Sequence, residues 1–332
     1  MQKSSFNPRH AMASGMVCAL LAIFTFTVSS ARAHGFPDRP IALVVGYPPG
    51  GAADMIARVL APSLGEKLGT TVVVENRAGA NGTIGANHVA KSKPDGHTLL
   101  LSSLSPMVLS PQTMSKPPYQ SVSDFAAINM VGLAPEAIAL GPNLKIKTLK
   151  ELLVYASKNQ VTLASSGVGG LPHLTIELLK QASEGNIVHV AYKGAGPAIT
   201  DTLGGHTDGI VMDLPPLYSL IKDNRLHALA VTSETRSKFL PDLPTAMEEL
   251  SNFNVVNWVG VFAPANTSSQ VITRIDAAIK EIVAADDFQK KLTDVAMMPS
   301  TMSGPAAFQN YFNGEYMRWG AVLKESAVAM QD

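Results

Sequence analysis

Two short stretches hold the residues best placed for chemistry: "YPPGGAAD" at 47–54 and "SSGVGGLPHL" at 165–174. Each sets glycines between an apolar run ("IALVV", "VTLASS") and a helical pattern. The first amides of a helix lack partners within it, and the helix dipole favours negative charge there. Gly50 and Gly51 let the backbone approach a guest closely, and Ala52 and Ala53 open the helix behind them. Pro48 and Pro49 stiffen the approach and lower the entropy lost on binding. The second stretch repeats the device through Gly167 and Gly169 and adds the hydroxyls of Ser165 and Ser166. Two such ends facing each other across a cleft would grip a small carboxylate without any arginine.

The side chains around these loops have competing readings. Asp54 would repel an anion, so its role in the first helical turn reads as accepting hydrogen bonds from the loop's own amides. Asp213, at a strand end beside "LPP", is the acid that could meet a ligand's amine or hydroxyl, with turn capping as the alternative. Tyr47 either walls the site or covers the sheet edge. Trp258 in "NWVGVFAP" reads as core. His173 and Glu177 sit one helical turn apart, a spacing that suits packing or capping better than a metal pair.

Catalytic machinery is hard to find. There is no G-x-S-x-G elbow, no H-E-x-x-H, and the single cysteine is Cys18. Glycines 79, 82 and 85 in "GANGTIG" miss the dinucleotide fingerprint, and no Gly-Lys-Ser/Thr follows a strand. No catalytic residue, metal or cofactor is expected.

The elements that position these loops alternate strand and helix, which predicts an α/β fold with mostly parallel sheets flanked by helices. "VVVENRAGAN…PDGHTLLLSS" and "VHVAYKGAGP…TDGIVMDLPP" share an order: strand, basic residue, Gly-Ala loop, helix, Asp-Gly turn, strand. That order suggests two lobes of like topology, one spanning 34–133 plus 235–332 and the other 134–234. The chain would cross between them near 133–137 and 230–237, where a hinge would fit. The stretch from "ETRSKF" to "FAPAN" reads as irregular, and the C-terminal region as two amphipathic helices.

The N-terminus reads as a leader. Lys3 and Arg9 precede an apolar core, and "ARA" ends it, so residues 1–33 form a secretory signal peptide with cleavage after Ala33. Removing Lys3, Arg9 and Arg32 leaves 23 basic against 26 acidic residues and no cysteine. That balance excludes nucleic acid as partner and fits a bacterial periplasmic protein held by an ordinary core. The mature chain would not be embedded in a membrane.

With these residues in place, the chain resembles the periplasmic solute receptors of tripartite tricarboxylate transporters, the Bug receptors. The resemblance rests on "FPDRPIALVVGYPPGGAADMIAR", "VVVENRAGANGTIGANHVAKSKPDGHTLLLSS", "SSGVGGLPHL", "HVAYKGAGPAITDTLGG", "ALAVTSETRSKFLPDLPT" and "NWVGVFAPANT". It implies a two-lobed Venus-flytrap fold of the type II periplasmic-binding class, closing on a small carboxylate. Backbone amides and water from Tyr47–Asp54 and Ser165–His173 would hold that ligand, with Ser102 and Ser103 nearby. A two-part membrane permease would be the partner of a monomeric receptor; presentation to a membrane sensor, or an exported enzyme, are the alternatives. Ala53 and Gly170 stand where hydroxyl residues are frequent in the family, and His97 and Ala191 also depart from its pattern.

Overall fold

The computed structural model describes residues 35–325; the expected leader lies outside them. Short β-branched runs become strands and Gly-started amphipathic runs become helices. The first such series is β1 (Ile41–Val45), α1 (Ala52–Leu68), β2 (Val72–Asn76), α2 (Thr83–Ala90) and β3 (Thr98–Ser103). A long strand, β4 (Phe125–Leu140), follows. The second series is α3 (Leu149–Ala156), β5 (Val161–Ser165), α4 (Leu171–Ser183), β6 (Ile187–Ala191), α5 (Ala195–Leu203) and β7 (Gly209–Asp213). Then come α6 (Leu214–Lys222), β8 (His227–Val231), β9 (Val256–Pro264), α7 (Ser269–Ala284), α8 (Asp286–Asp294), β10 (Met298–Pro299) and α9 (Pro305–Glu325).

The strand order is β2-β1-β3-β9-β4-β7-β5-β6, with β8 and β10 also paired to β4. β1 pairs in parallel with β2 and β3, and β5 with β6 and β7. The β-α loops of each series therefore emerge at the carboxyl ends of parallel strands, where open α/β sheets hold ligands. β4 joins the two series. Its residues up to Pro135 pair with β9, and from Glu136 onward they pair with β7. Thr232 braces this junction: its Oγ1 accepts from the Glu136 amide at 2.9 Å and donates to the Val255 carbonyl at 2.5 Å.

Two expectations are corrected. The stretch read as irregular contains β9, nine residues antiparallel to both β3 and β4. Its apolar residues are buried on both faces, so it lacks the polar alternation that marks a half-exposed strand. The C-terminal region forms three helices, because Ala285 leaves the helical region at ψ 133° and separates α7 from α8.

Trp258 is fully buried, as its core reading requires, and its ring lies 5.6 Å from Phe308 and 6.0 Å from Phe262. Gly46 explains how β1 and the β2–α2 loop come together: a Cβ there would fall 2.5 Å from the Gly82 carbonyl oxygen.

Candidate functional site

The two glycine loops are built to the same plan. In the first, Gly50 adopts φ 91° and Gly51 caps α1 in extended conformation. Asp54, in the first turn, accepts from the Gly50 amide at 3.0 Å. In the second, Gly169 adopts φ 75° and Gly170 caps α4 in extended conformation. His173 Nδ1 accepts from the Gly169 amide at 2.9 Å. In both loops the side chain four residues on ties down the amide of a left-handed glycine, so each helix end is held rigid.

Asp54 is committed to its own chain. Arg58 Nε and Asn76 Nδ2 donate to its carboxylate at 2.9 Å each, and Asn76 Nδ2 also donates to the Tyr47 carbonyl at 3.0 Å. Burial alone would raise its pKa, but the hydrogen bonds from Arg58, Gly50 and Asn76 outweigh burial and hold it below the usual range. Replacing Asp54 by Ala leaves the Gly50 amide without its acceptor and Asn76 Nδ2 with the Tyr47 carbonyl alone. The expected cost is about 1–3 kcal/mol of stability, read as a lowered Tm. A carboxylate with a lowered pKa contributes stability above its unfolded value and loses it as pH falls through the folded one. The Tm gap between wild type and Asp54→Ala should therefore close in acid.

His173 and His189 stack with centroids 3.9 Å apart. Ser165 Oγ donates to the Gly167 carbonyl at 2.9 Å and lies 2.6 Å from His189 Nε2, which assigns the proton to that nitrogen. Burial lowers both histidine pKa values, that of His189 to about 3, with the neighbouring His173 adding to the effect. Both rings are neutral supports of the second loop.

Between the loops lies a cavity of about 40 Å³ lined by Tyr47, Gly51, Ala52, Ala53, Ser103, Ser166 and Asp213 among the expected residues. That volume suits roughly three water-sized groups, enough for a carboxylate and little more. Pro49, Gly50, Asp54, Ser102, Ser165, Gly169 and His173 stand outside its lining, and Gly167 lines an adjoining outer depression of about 550 Å³. Ser102 and Ser165 are buried within strands, whereas Pro49 and Gly50 are exposed. Sequence reasoning missed Ser105, Gly194, Ala195 and Asn257, all of which line the cavity. Gly194, the cap of α5 at φ 106°, had a signal in "KGAGPA", another glycine-started helix. Asn257 had none, because it lies in the overlooked β9.

The α1 end leaves more of its first amides unbonded than the α4 end does. Its ladder starts with the Met55 amide bonded to the Gly51 carbonyl, which leaves the amides of Gly51 through Asp54 outside the helix's own bonding. At α4 the Leu171 amide is taken by Ser105 Oγ at 2.9 Å, and Pro172 has no N–H. The second series instead presents Ser166 and the Gly194–Ala195 end of α5. Tyr47 forms a wall, its hydroxyl directed at Ser103 and Ser105; burial raises its pKa well above the ordinary tyrosine value. Across the cleft, Asn81 Nδ2 donates to the Val168 carbonyl at 3.0 Å. Among the described residues, no group of three or more His, Cys, Asp or Glu is placed to hold a metal. Among the same residues no helix is long and apolar enough to cross a membrane.

Two α/β lobes and a small cavity at the carboxyl ends of their strands define a type II periplasmic binding protein, a solute receptor. Residues 56–328 match the tripartite tricarboxylate transporter family receptor, and the chain belongs to that family. It is 35% identical over 321 residues to the protein BugT of Bordetella pertussis, covering 94% of this chain and 98% of that one. The structure of the periplasmic binding protein BugD superposes with a TM-score of 0.85 at 33% identity, covering 89% of this chain and all of BugD. The R. palustris protein Rpa4515, solved with adipate, gives the same TM-score at 28% identity, covering 89% and 99% of the two chains.

Proposed function

We propose that this chain is an exported, monomeric receptor of the periplasm that binds a small carboxylate between its lobes and delivers it to a two-part membrane permease. The observation that carries this reading is the set of α1 amides, Gly51 to Asp54, at a small cavity whose lining, among the described residues, contains no arginine or lysine. A carboxylate placed there meets oriented N–H groups and the positive end of a helix dipole. Adipate in the R. palustris relative supports the ligand class, and the family's association with tripartite transporters supports the partner. The lobes would be 34–133 with 235–332, and 134–234. The change of partners along β4 at Pro135–Glu136 and the Thr232 brace support hinges near 133–137 and 230–237. The chain would act as a receptor rather than an enzyme.

Ligand binding stabilises the folded state by RT ln(1 + [L]/Kd), about 2.7 kcal/mol at one hundred times Kd. Thermal unfolding of the mature protein against a panel of mono-, di- and tricarboxylates and aromatic acids should show a raised Tm with at least one member. A flat response across the panel would refute the reading.

A further inference from the structure

Among the described residues the cavity lining holds one acid, and the structure removes the ordinary explanation for it. Asp213 is the cap residue of α6, yet its side chain makes no capping hydrogen bond. The amides that a cap would engage are those of the second and third helical residues, and here these are Pro215 and Pro216. What positions Asp213 is Asn257. The Leu104 amide donates to Asn257 Oδ1 at 3.2 Å, which fixes the amide's orientation, and Asn257 Nδ2 donates to Asp213 Oδ1 at 2.9 Å. Among the described residues, none donates a hydrogen bond to Oδ2 of Asp213. It belongs to a side chain that lines the same cavity as the α1 amides of Gly51, Ala52 and Ala53.

The polar groups around this acid come from three elements. Glu136, fully buried on β4, stands directly across the β4–β7 register from Asp213. Tyr47 approaches from the loop after β1, and Asn257 from β9 is neutral. Among the described residues, no lysine or arginine lines the cavity.

Resting on the receptor reading above, we propose that Asp213 determines specificity: its free oxygen accepts a hydrogen bond from the guest, so the ligand is a small carboxylate bearing a hydroxyl or amine. Its carboxylate sits on the α1 amides, and its donor group, one or a few bonds away in so small a cavity, meets Asp213 Oδ2. A site built to pair with a donor rejects the analogue that lacks it, because its buried acceptor is then left unpaired. Burial lifts the Asp213 pKa to about 6, outweighing the Asn257 hydrogen bond, so the acceptor form prevails at neutral pH.

Calorimetric titration of the mature protein with matched pairs tests this: lactate against propionate, 3-hydroxybutyrate against butyrate, malate and aspartate against succinate. The hydroxy or amino member of at least one pair should bind at least about tenfold more tightly at pH 7.5. Asp213→Asn keeps the shape and the bond from Asn257 but turns the free oxygen into an N–H donor. It should erase or reverse that preference, with circular dichroism confirming the fold. Should succinate, propionate or butyrate bind as well as their partners in wild type, the specificity role falls and the receptor reading stands. A preference that survives in folded Asp213→Asn overturns the role equally. If none of these acids nor any other carboxylate binds, the receptor reading itself fails, and this inference with it.

Discussion

Gly51→Leu is expected to raise the Kd of any carboxylate ligand at least about 100-fold, a loss of roughly 2.7 kcal/mol, while the protein stays folded. Gly51 is the right glycine for this experiment because its backbone asks nothing special of it. With φ −82° and ψ 167° it lies where every residue is allowed, and a Cβ there would meet no heavy atom within 4 Å. Gly50 at φ 91° would add backbone strain to any side chain. Gly194 at φ 106° would also drive a Cβ to 3.0 Å from Pro48 Cγ. At Gly51 the isobutyl group grows beside a cavity of about 40 Å³ and onto the amides proposed to seat the anion. Losing a favourable cap residue should cost at most about 1 kcal/mol, a Tm shift of a few degrees. Unchanged affinity in a folded variant would remove the α1 end from the binding site.

How much of this was legible from residues alone depends on where the information lies. The parallel β-α series could be read because β-branched runs such as "IALVV" and "TVVVEN" alternate with glycine-started amphipathic helices. β9 could not, because burial on both faces erases the period of two. Asp54 could be assigned to its loop because its amide partner lies four residues away. The matching brace by His173 was open only in part, since it depends on a ring supported by His189 from another strand. Ser105 and Asn257 reach the cavity through long-range hydrogen bonds to Leu171 and Asp213, sequence separations of 66 and 44 residues that no local spacing reveals. The two glycine loops look equivalent in sequence. Their inequality appears only when Ser105 occupies the Leu171 amide.

Glu136→Leu should make the protein more stable, by about 1–3 kcal/mol at pH 7.5 and roughly 3–6 °C in Tm. Glu136 is fully buried; Thr175 Oγ1 donates to its Oε2, and among the described residues Oε1 has no hydrogen-bond partner. Along β4 the residues on its face, Ile138 and Leu140, join an apolar cluster with Leu171 and Leu174 of α4, so a leucine finds compatible neighbours. Thr175 is not orphaned by the change, because its one hydroxyl proton can turn to the Leu171 carbonyl, 2.9 Å away. Burial first, and the nearby Asp213 second, raise the Glu136 pKa well above its ordinary value of 4.5. A carboxyl with a raised folded pKa binds more protons in the folded than in the unfolded state. Its contribution to stability is complete below the unfolded pKa and is lost as pH rises toward the folded one. The advantage of leucine should therefore be smallest near pH 4.5 and widen toward pH 7.5. The difference between the two proteins is the quantity to measure, because Asp54 and Asp95, with lowered pKa values, push each protein's own pH profile the other way. A leucine variant less stable than wild type at every pH would mean that the Thr175–Glu136 hydrogen bond outweighs the cost of burying the acid.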